Sequence, residues 1–397
     1  MFKLHKSCPA IQSICQKTRE RKIWYTEAKK GRAGGNVRKE EQRSMKKFAV
    51  FSGFLGAGKT TAMMALIDYY SAHYAKAAMI SNDLGAGVTL ADHRLAQLRG
   101  CEAFQITGEC ICFCHDVLIK RLNACFEDGC ELVVSDIPGF GVGAQEHVYH
   151  GLSENRFDGF SLAPFTVLIE PRNLALLRSG QAGEMGTILD AQLREADLIV
   201  LSKCELLDVG ERDTALQWLA ERYPRTEQLA ISAATGLGLD ALSRALREET
   251  ASLRRPEIDY DDADLQNAMD SLSEYYLQYR AVVCCNSFDG SAYLLTLAEA
   301  LRSAIRDAGG EIPHLKLLAW GPEGDYGKAD LLGTDRPIEL PHRFTEPCTD
   351  LAVILNASAV CPDETLDRLI GETVKAVSER FQLELTLFRK DHFGLGE

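Results

Sequence analysis

Residues 53–61 constrain this chain more than any other stretch. They read GFLGAGKTT and match the phosphate-loop pattern G-x-x-x-x-G-K-[ST] at every fixed position. The apolar run 48–51 before them is typical of a strand, and residues 62–70 after them have the Ala, Met and Leu content of a helix. Glycines let backbone N–H groups turn inward around a polyphosphate, and a helix N-terminus adds positive charge. The stretch therefore predicts a nucleotide site.

Two residues of this loop have roles that the pattern itself indicates. We expect the Lys59 ammonium to reach the β and γ phosphates, and the Thr60 hydroxyl to ligate Mg²⁺. The predicted phosphate-binding set consists of Gly53, Gly56, Ala57, Gly58, Lys59, Thr60 and Thr61.

Acidic residues follow two further predicted strands, at the strand ends where α/β sheets keep their ligand chemistry. Asp83 lies in a polar loop after the strand predicted at 76–80, where it could approach Mg²⁺ or the attacking water. An Asn-Asp turn is the alternative. Asp136 follows the strand predicted at 131–135 and begins a D-x-x-G sequence that ends at Gly139. In this pattern the carboxylate holds the Mg²⁺ shell and the glycine N–H senses the γ-phosphate.

Three thiols stand at alternate positions, Cys110, Cys112 and Cys114, with His115 adjoining. If this segment is a loop, the sulfurs can converge on one soft cation, and zinc takes thiolate and imidazole ligands readily. The alternative is three small buried side chains, since free cysteines are often buried. We predict a site for Zn²⁺ or another transition metal at these three cysteines.

The thirteen cysteines of the chain also indicate its compartment. Their number is odd, no secretory signal is evident, and the Cys284-Cys285 pair stands in an apolar run. A reducing cytoplasm therefore fits better than a disulfide framework. No apolar run approaches the roughly 18 residues of a membrane span, so we expect no membrane partner.

Charge is distributed unevenly along the sequence. The whole chain carries −13, whereas residues 1–47 hold 14 basic and 4 acidic residues, a net charge of +10. The strongly acidic remainder argues against a nucleic-acid partner. Residues 1–44 lack both a signal-peptide apolar run and a periodic apolar face, so we expect a basic, disordered extension.

The rest of the chain divides into segments by composition and periodicity. We assign 45–252 to an α/β P-loop domain with a mostly parallel sheet and 253–275 to an acidic linker with a helix. A β-α-β, β-α-β order over 276–397 predicts a C-terminal α+β domain of ferredoxin-like type. The isolated histidines of that domain fit structural or surface roles better than ligand roles; they are His314, His342 and His392.

The order of motifs resembles the CobW/HypB/UreG superfamily of metal-handling GTPases, and its CobW-type branch most closely, over roughly residues 47–250. These motifs are the phosphate loop, N-D-L-G, C-x-C-x-C, D-x-x-G, S-K-x-E and S-A-x-x-G. The resemblance implies GTP as the nucleotide. It also implies that Ser202, Lys203 and Glu205 read the guanine base, and that Ser232 and Ala233 end the base pocket.

The chain departs from the family pattern at three positions. Phe113 stands where the family has a second consecutive cysteine, and Asp83 replaces a usual glutamate. Glu205 replaces the aspartate that accepts two hydrogen bonds from guanine, and its longer side chain could loosen guanine selectivity.

The resemblance implies a GTPase that serves as a metallochaperone or maturation factor for a metal- or corrinoid-dependent client enzyme. It would hydrolyse GTP slowly by itself, with a nucleotide-dependent homodimer as another implied partner. An ATP-dependent small-molecule kinase or other P-loop ATPase is the alternative, because Glu205 weakens the guanine assignment. A metal-storage or zinc-sensing protein with a degenerate nucleotide site is a third reading, against which Lys59, Thr60 and Asp136 argue.

Overall fold

The computed structural model describes residues 46–154, 159–183, 185–256, 258–283 and 286–396. The extension expected at 1–44 and the Cys284-Cys285 pair lie outside these residues. The described chain forms a mostly parallel sheet with helices, followed by an antiparallel sheet with helices on one face. This is the α/β plus α+β architecture that the sequence predicts.

The first sheet alternates strands and helices, as the apolar runs of its sequence require. Its strands are β1 (Lys47–Ser52), β2 (Ala77–Asp83), β3 (Ala103–Thr107), β4 (Leu132–Asp136), β5 (Ser161–Leu162), β6 (Thr166–Ile169), β7 (Leu198–Leu201) and β8 (Glu227–Ala230). Its helices are α1 (Lys59–His73), α2 (Ala91–Leu98), α3 (His115–Glu127), α4 (Gly151–Glu154), α5 (Pro171–Ser179), α6 (Met185–Glu195), α7 (Val209–Arg222) and α8 (Leu239–Glu248). A π-helical turn at Gln145–His150 precedes α4.

The strand order of this sheet is β3-β2-β4-β1-β6-β7-β8, with the short β5 paired to β1. All of these pairings are parallel, so the carboxyl ends of β1, β2 and β4 meet at one edge. β2 continues to Asp83, which pairs with Thr107 of β3, so residues 81–83 are strand where the sequence predicts a loop. Backbone pairing to β3 outweighs the turn preference of Asn-Asp.

A helix, α9 (Ala263–Asp270), follows the acidic linker. Its buried Leu265 and Ala268 pack with Ile188 and Leu189 of α6. β9 (Leu272–Val283) begins directly after it, so the predicted boundary at residue 276 falls inside this strand.

The C-terminal sheet continues with α10 (Gly290–Asp307), β10 (Glu311–Trp320), β11 (Tyr326–Leu331), β12 (Glu339–His342), β13 (Asp350–Val360), α11 (Asp363–Arg380) and β14 (Leu383–Gly394). Its order is β12-β11-β10-β13-β9-β14. The four strands β10-β13-β9-β14 with α10 and α11 have the predicted ferredoxin-like arrangement. β11 and β12 extend the sheet beyond β10; the sequence analysis missed both, because charged residues and glycine interrupt the apolar alternation of β11.

The two faces of the C-terminal sheet differ. Side chains such as Tyr275, Leu277 and Tyr279 of β9 pack with α10 and α11 in one core. The alternate residues, Glu274 and Tyr276 among them, face the first domain. Because side chains alternate along a strand, residues such as Tyr276, Lys316 and Asn356 lie on the face that meets the parallel sheet's carboxyl edge.

The contact between the domains is apolar on one side and polar on the other. Helix α2 packs against β10 and β13, where Leu95 joins Leu318 and Ile354 in a buried cluster. Toward the phosphate loop the contacts become polar, and the Tyr276 hydroxyl donates to the Asp83 carboxylate at 2.6 Å. The C-terminal sheet thus covers the edge where the parallel strands end.

Candidate nucleotide site

The phosphate loop joins β1 to α1, and its glycines are required by its geometry. Gly53 has φ 132°, and a Cβ there would lie 2.3 Å from the Leu168 carbonyl oxygen. Gly58 has φ 86° immediately before α1. Ser202 fixes the loop from β7, since its hydroxyl donates to the Ala57 carbonyl at 2.7 Å. Only glycine can adopt the positive φ at position 53 and avoid a clash with Leu168, so the observed backbone agrees with the sequence pattern.

Lys59 opens α1 and turns its ammonium across the loop to the Gly53 carbonyl, at 2.7 Å. Burial lowers the pKa of Lys59 to about 8, although the Asp136 carboxylate opposes this shift. The ammonium therefore stays mostly charged at neutral pH, and phosphate oxygens would strengthen its preference for the charged form.

Asp136 ends β4 and accepts a hydrogen bond from the Asn82 backbone N–H at 2.9 Å. Burial raises the pKa of Asp136 to about 7, and the nearby Asp92 carboxylate adds to the shift. Asp92, in the first turn of α2, lies near the Thr60 hydroxyl, which helps lower the pKa of Asp92. Two carboxylates and a hydroxyl thus lie together beside the phosphate loop, which fits a Mg²⁺ ion that takes few protein ligands besides phosphate and water.

The sequence motifs indicate Asp83 as the second acidic residue of the site and do not indicate Asp92. The only sequence signal for Asp92 is its place in the first turn of a helix after the glycine-containing loop 85–89. Although burial favours the neutral acid, the Lys316 ammonium lowers the pKa of Asp92 to about 2. Asp92 is therefore ionised at neutral pH.

Asp83 lies at the domain contact. Its carboxylate accepts from the Tyr276 hydroxyl at 2.6 Å and from the Leu84 backbone N–H at 2.8 Å. Burial raises the pKa of Asp83, and these two hydrogen bonds oppose the rise. Asp83 still lines the cavity that contains the phosphate loop, so its predicted place near the nucleotide stays a prediction.

Gly139 closes the D-x-x-G turn against the phosphate loop. A Cβ on Gly139 would lie 2.6 Å from a methyl group of Leu55. The Gly139 carbonyl accepts from the Gln192 amide at 3.0 Å, which fixes the turn from α6. The turn therefore stands directly over the loop, where a backbone N–H can meet a terminal phosphate.

The predicted base pocket lies at the ends of β7 and β8. Lys203 has φ 51° and begins a short 3₁₀ turn, and the side chains of Lys203 and Glu205 line the cavity together with Ala233. Ser232 is buried beneath this surface, and its hydroxyl accepts from the Thr235 backbone N–H at 3.1 Å. Ser232 thus shapes the turn instead of facing the cavity.

The cavity has a volume of about 440 Å³ and is closed by the C-terminal sheet. Most of the side chains that this sheet contributes are polar; these are Glu274, Tyr276, His314, Lys316, Lys328, Asp330, Glu339, Asn356 and Ser358. This second wall is not predicted from the sequence, in which no motif indicates a site role for the C-terminal domain. The sequence signal for this wall is the presence of charged residues at every second position in strands with an otherwise apolar pattern.

His314 belongs to that wall, and burial holds its pKa well below the usual range, so its imidazole is neutral. The other two isolated histidines lie elsewhere in the C-terminal sheet. His342 contacts the Tyr326 ring, and His392 lies beside Asp363, with 3.2 Å between Nδ1 and the carboxylate.

The three-cysteine segment forms a turn before α3, as predicted for a loop. The Cys110 and Cys112 sulfurs are 2.9 Å apart, whereas the Cys114 thiol is directed to the Cys110 carbonyl at 3.4 Å. Hydrogen bonding to Cys110 and burial raise the pKa of Cys112 well above its usual value, and burial raises that of Cys114 to about 12. Within the described ranges, no group of three His, Cys, Asp or Glu side chains is arranged to hold a metal ion.

Asn82 connects this cysteine turn to the nucleotide site. Its side-chain amide donates to the Glu109 carbonyl at 2.9 Å and accepts from the Ile111 N–H at 2.9 Å. Its backbone N–H donates to Asp136, as noted above. One buried residue thus bonds the cysteine turn and the predicted Mg²⁺ ligand at once.

None of the helices in the described ranges combines the length and apolar content that crossing a bilayer demands.

Comparison with known proteins relates the first domain to a family. The model for the CobW/HypB/UreG nucleotide-binding domain matches residues 47–230. Proteins of curated function gave no match to the sequence.

Three solved structures are similar at low identity. Zinc-bound YjiA GTPase from E. coli has 15% identity, with 83% of this chain and 98% of that chain covered and a TM-score of 0.33. HypB from Helicobacter pylori in complex with nickel has 16% identity, 52% and 88% coverage and a TM-score of 0.37. Hydrogenase maturation factor HypB from Archaeoglobus fulgidus has 21% identity, 53% and 93% coverage and a TM-score of 0.36.

The match over 47–230 agrees with the phosphate loop, the D-x-x-G turn and the base-pocket segment in their observed positions. Residues 47–230 are therefore similar to the nucleotide-binding domain of the CobW/HypB/UreG family.

Proposed function

We propose that this protein binds and hydrolyses GTP and acts as a metallochaperone or maturation factor for a metal- or corrinoid-dependent enzyme. The observation that carries the proposal is the double attachment of Asn82, which bonds the cysteine turn through its side chain and Asp136 through its backbone. A protein that releases a metal on hydrolysis needs such a connection between its metal loop and its nucleotide site.

In the nucleotide site, Lys59 neutralises the β and γ phosphates, and the loop N–H groups hold their oxygens. Thr60 and Asp136 are the residues that would hold Mg²⁺, which would supply positive charge at the terminal phosphates, and Asp92 lies beside them. The Gly139 N–H faces the γ-phosphate, so loss of that phosphate frees the turn that Gln192 supports. Hydrolysis here depends mainly on positioning, and we expect it to be slow without a client protein.

The base pocket supports GTP with a relaxed preference. Lys203 lies along the phosphate loop, with its Cε 3.7 Å from the position of a Cβ on Gly58, and Glu205 presents a carboxylate at the cavity. The extra methylene of Glu205 alters the two-point geometry by which aspartate accepts from guanine. This is the one feature that favours the alternative, an ATP-using enzyme.

The cargo metal is the substrate of the proposed activity. Cys110 and Cys112 already have adjacent sulfurs, and binding requires that Cys114 turn away from the Cys110 carbonyl. YjiA with zinc and HypB with nickel support a transition metal as cargo. Every cysteine in the described part of the chain is a free thiol, which supports a reducing, cytoplasmic location.

Calorimetry with GDP and with a non-hydrolysable GTP analogue tests the proposal, together with zinc and nickel titrations in each nucleotide state. We expect Lys59→Ala to abolish triphosphate binding and the exposed Lys375→Ala to retain it. We expect Cys110, Cys112 and Cys114 together changed to Ser to lose metal binding. Metal affinity that is identical in both nucleotide states, or unchanged in the triple variant, would contradict a nucleotide-driven carrier.

A further inference from the structure

Lys316 is the most unusual charge in the wall that the C-terminal sheet contributes. It lies in the middle of β10, between Leu315 and Leu317, which are buried in the C-terminal core on the opposite face. Its ammonium pairs with Asp92 of α2 at 2.5 Å, and the two side chains are only 17% and 18% exposed. These residues are 224 positions apart in the sequence. An ion pair as buried as this contributes little net stability, because desolvation offsets the attraction.

The position of the pair relates it to the phosphate end of the cavity. Asp92 lines the same cavity as Thr60, the residue directly after Lys59, and the Thr60 hydroxyl helps lower the pKa of Asp92. Lys316, Lys59 and Asp136 line the same cavity, and the charge of Lys316 is close enough to Lys59 to help lower the pKa of Lys59. Lys316 therefore stands opposite the phosphate loop, at the end where Mg²⁺ and the terminal phosphate belong.

Lys316 remains charged there. Burial opposes its charge, but the Asp92 carboxylate outweighs burial and raises the pKa of Lys316. Its neighbours across the strands are Asn356 on β13 and Asp330 on β11. The Asp330 carboxylate already pairs with Lys328 at 2.5 Å, so Asp92 is the carboxylate bonded to Lys316.

We propose that Lys316 distinguishes nucleoside triphosphate from diphosphate by leaving Asp92 and donating to the terminal phosphate. The C-terminal domain would thereby sense which nucleotide occupies the first domain. This inference rests on the proposed nucleotide function and adds a binding residue from outside the matched segment 47–230.

The exchange of partners has a physical basis. With Mg²⁺ held by Thr60 and Asp136, Asp92 would have a second positive charge nearby and would depend less on Lys316. A charge-assisted hydrogen bond from Lys316 to a phosphate oxygen then replaces the ion pair. A diphosphate offers no oxygen at that position, so the Lys316–Asp92 pair persists. The ratio of triphosphate to diphosphate affinity is set by the difference in free energy between the two interactions of Lys316, one with the phosphate oxygen and one with Asp92.

The test compares the affinities of wild type and Lys316→Gln for GDP and for a non-hydrolysable GTP analogue, by calorimetry with Mg²⁺ present. We expect the variant to bind the triphosphate about 10- to 100-fold more weakly, as for the loss of a hydrogen bond to a charged group. Diphosphate affinity should stay within about threefold. The matched control is Lys390→Gln, which removes a C-terminal lysine that pairs with Asp367 away from the cavity.

A second variant separates direct contact from simple loss of a partner, because Lys316→Gln leaves the Asp92 carboxylate unpaired. In the double variant Asp92→Asn with Lys316→Gln, both side chains are neutral amides. The double variant also replaces Lys316→Gln in the affinity comparison if that single variant does not fold. We expect the double variant to keep the reduced ratio of triphosphate to diphosphate affinity. A double variant with the wild-type ratio would overturn the proposal, as would equal weakening of both nucleotides by Lys316→Gln.

The outcome also separates this proposal from the proposed function. If wild type binds neither nucleotide, the function itself fails. If wild type prefers the triphosphate and Lys59→Ala abolishes that binding, but Lys316→Gln leaves the ratio unchanged, only the role of Lys316 is lost.

Discussion

Tyr276 donates its hydroxyl to Asp83 at 2.6 Å, across the contact between two domains and 193 positions of sequence. The ring of Tyr276 also packs on Gly85, where a Cβ would approach within 2.8 Å. The tyrosine thus places the C-terminal sheet on the loop that leads from β2 to α2. Because that loop precedes Asp92, the contact fixes one wall of the nucleotide site.

Changing Tyr276 to Phe tests this contact, since the variant keeps the ring and loses only the hydroxyl. Asp83 then keeps only the Leu84 N–H as a partner, and we expect the free energy of unfolding to fall by about 1–3 kcal/mol. We also expect a change in affinity for the GTP analogue.

Tyr275→Phe is the matched control for that experiment. Tyr275 faces the opposite side of β9 and donates to Asp367 at 2.9 Å, so its loss should cost stability without altering nucleotide affinity. Denaturant unfolding and calorimetry measure the two effects. Equal nucleotide affinities in wild type and Tyr276→Phe would show that the contact is only structural.

Glu205 sets the second prediction, a modest preference for GTP over ATP. Restoring the shorter acid with Glu205→Asp should sharpen that preference, because aspartate accepts from guanine at two points with better geometry. Competition between the two nucleotides measures it. Equal or stronger ATP binding by wild type would favour the kinase alternative.

Asn82 is expected to carry the coupling between metal and nucleotide. If both sites bias one conformational equilibrium, GTP and metal change each other's affinity by the same factor, about 5- to 150-fold in typical cases. Asn82→Ala removes the bonds to Glu109 and Ile111, so we expect this factor to approach one.

The control for Asn82 is its neighbour Ser81, whose buried hydroxyl has no hydrogen-bond partner among the described residues. Ser81→Ala should preserve the coupling. Zinc titrations into the GDP and GTP-analogue forms of each variant give the factor directly. Full coupling in Asn82→Ala would mean that the two sites communicate by another route.

Glu195 gives a prediction about pH and stability. Its carboxylate is buried and accepts from the Gly143 and Gln145 N–H groups, yet burial raises its pKa from 4.5 to about 7. Between these values the unfolded chain releases a proton that the folded protein retains. The contribution of Glu195 to the free energy of unfolding therefore falls as pH rises, by about 3 kcal/mol in total.

Glu195→Gln should abolish this part of the pH dependence, whereas the exposed Glu372→Gln should leave it intact. Urea unfolding at several pH values between 4.5 and 7.5 measures the difference between each variant and wild type. A difference between wild type and Glu195→Gln that is constant over this range would contradict the assignment.

The sequence predicts the phosphate loop well because its glycines, Lys59 and Thr60 are adjacent, and their local geometry determines their role. The same holds for Asp136 and Gly139, which belong to one turn. It could not place Asp92 or Lys316, since each acquires its role only through a partner on a distant element. For Asp83, the family pattern points to the nucleotide, whereas the structure shows a hydrogen bond to a tyrosine that no local pattern connects to it.

The uneven contact between the domains has a mechanical consequence. The body of α2 is held by the apolar cluster of Leu95, Leu318 and Ile354, while its first turn carries Asp92 into the cavity. Water can enter the polar side at the modest cost of exchanging hydrogen bonds, whereas parting the apolar side would expose buried hydrocarbon. The C-terminal sheet should therefore rotate about α2 as a hinge. Such a rotation would open an exit for spent nucleotide while the two domains stay joined.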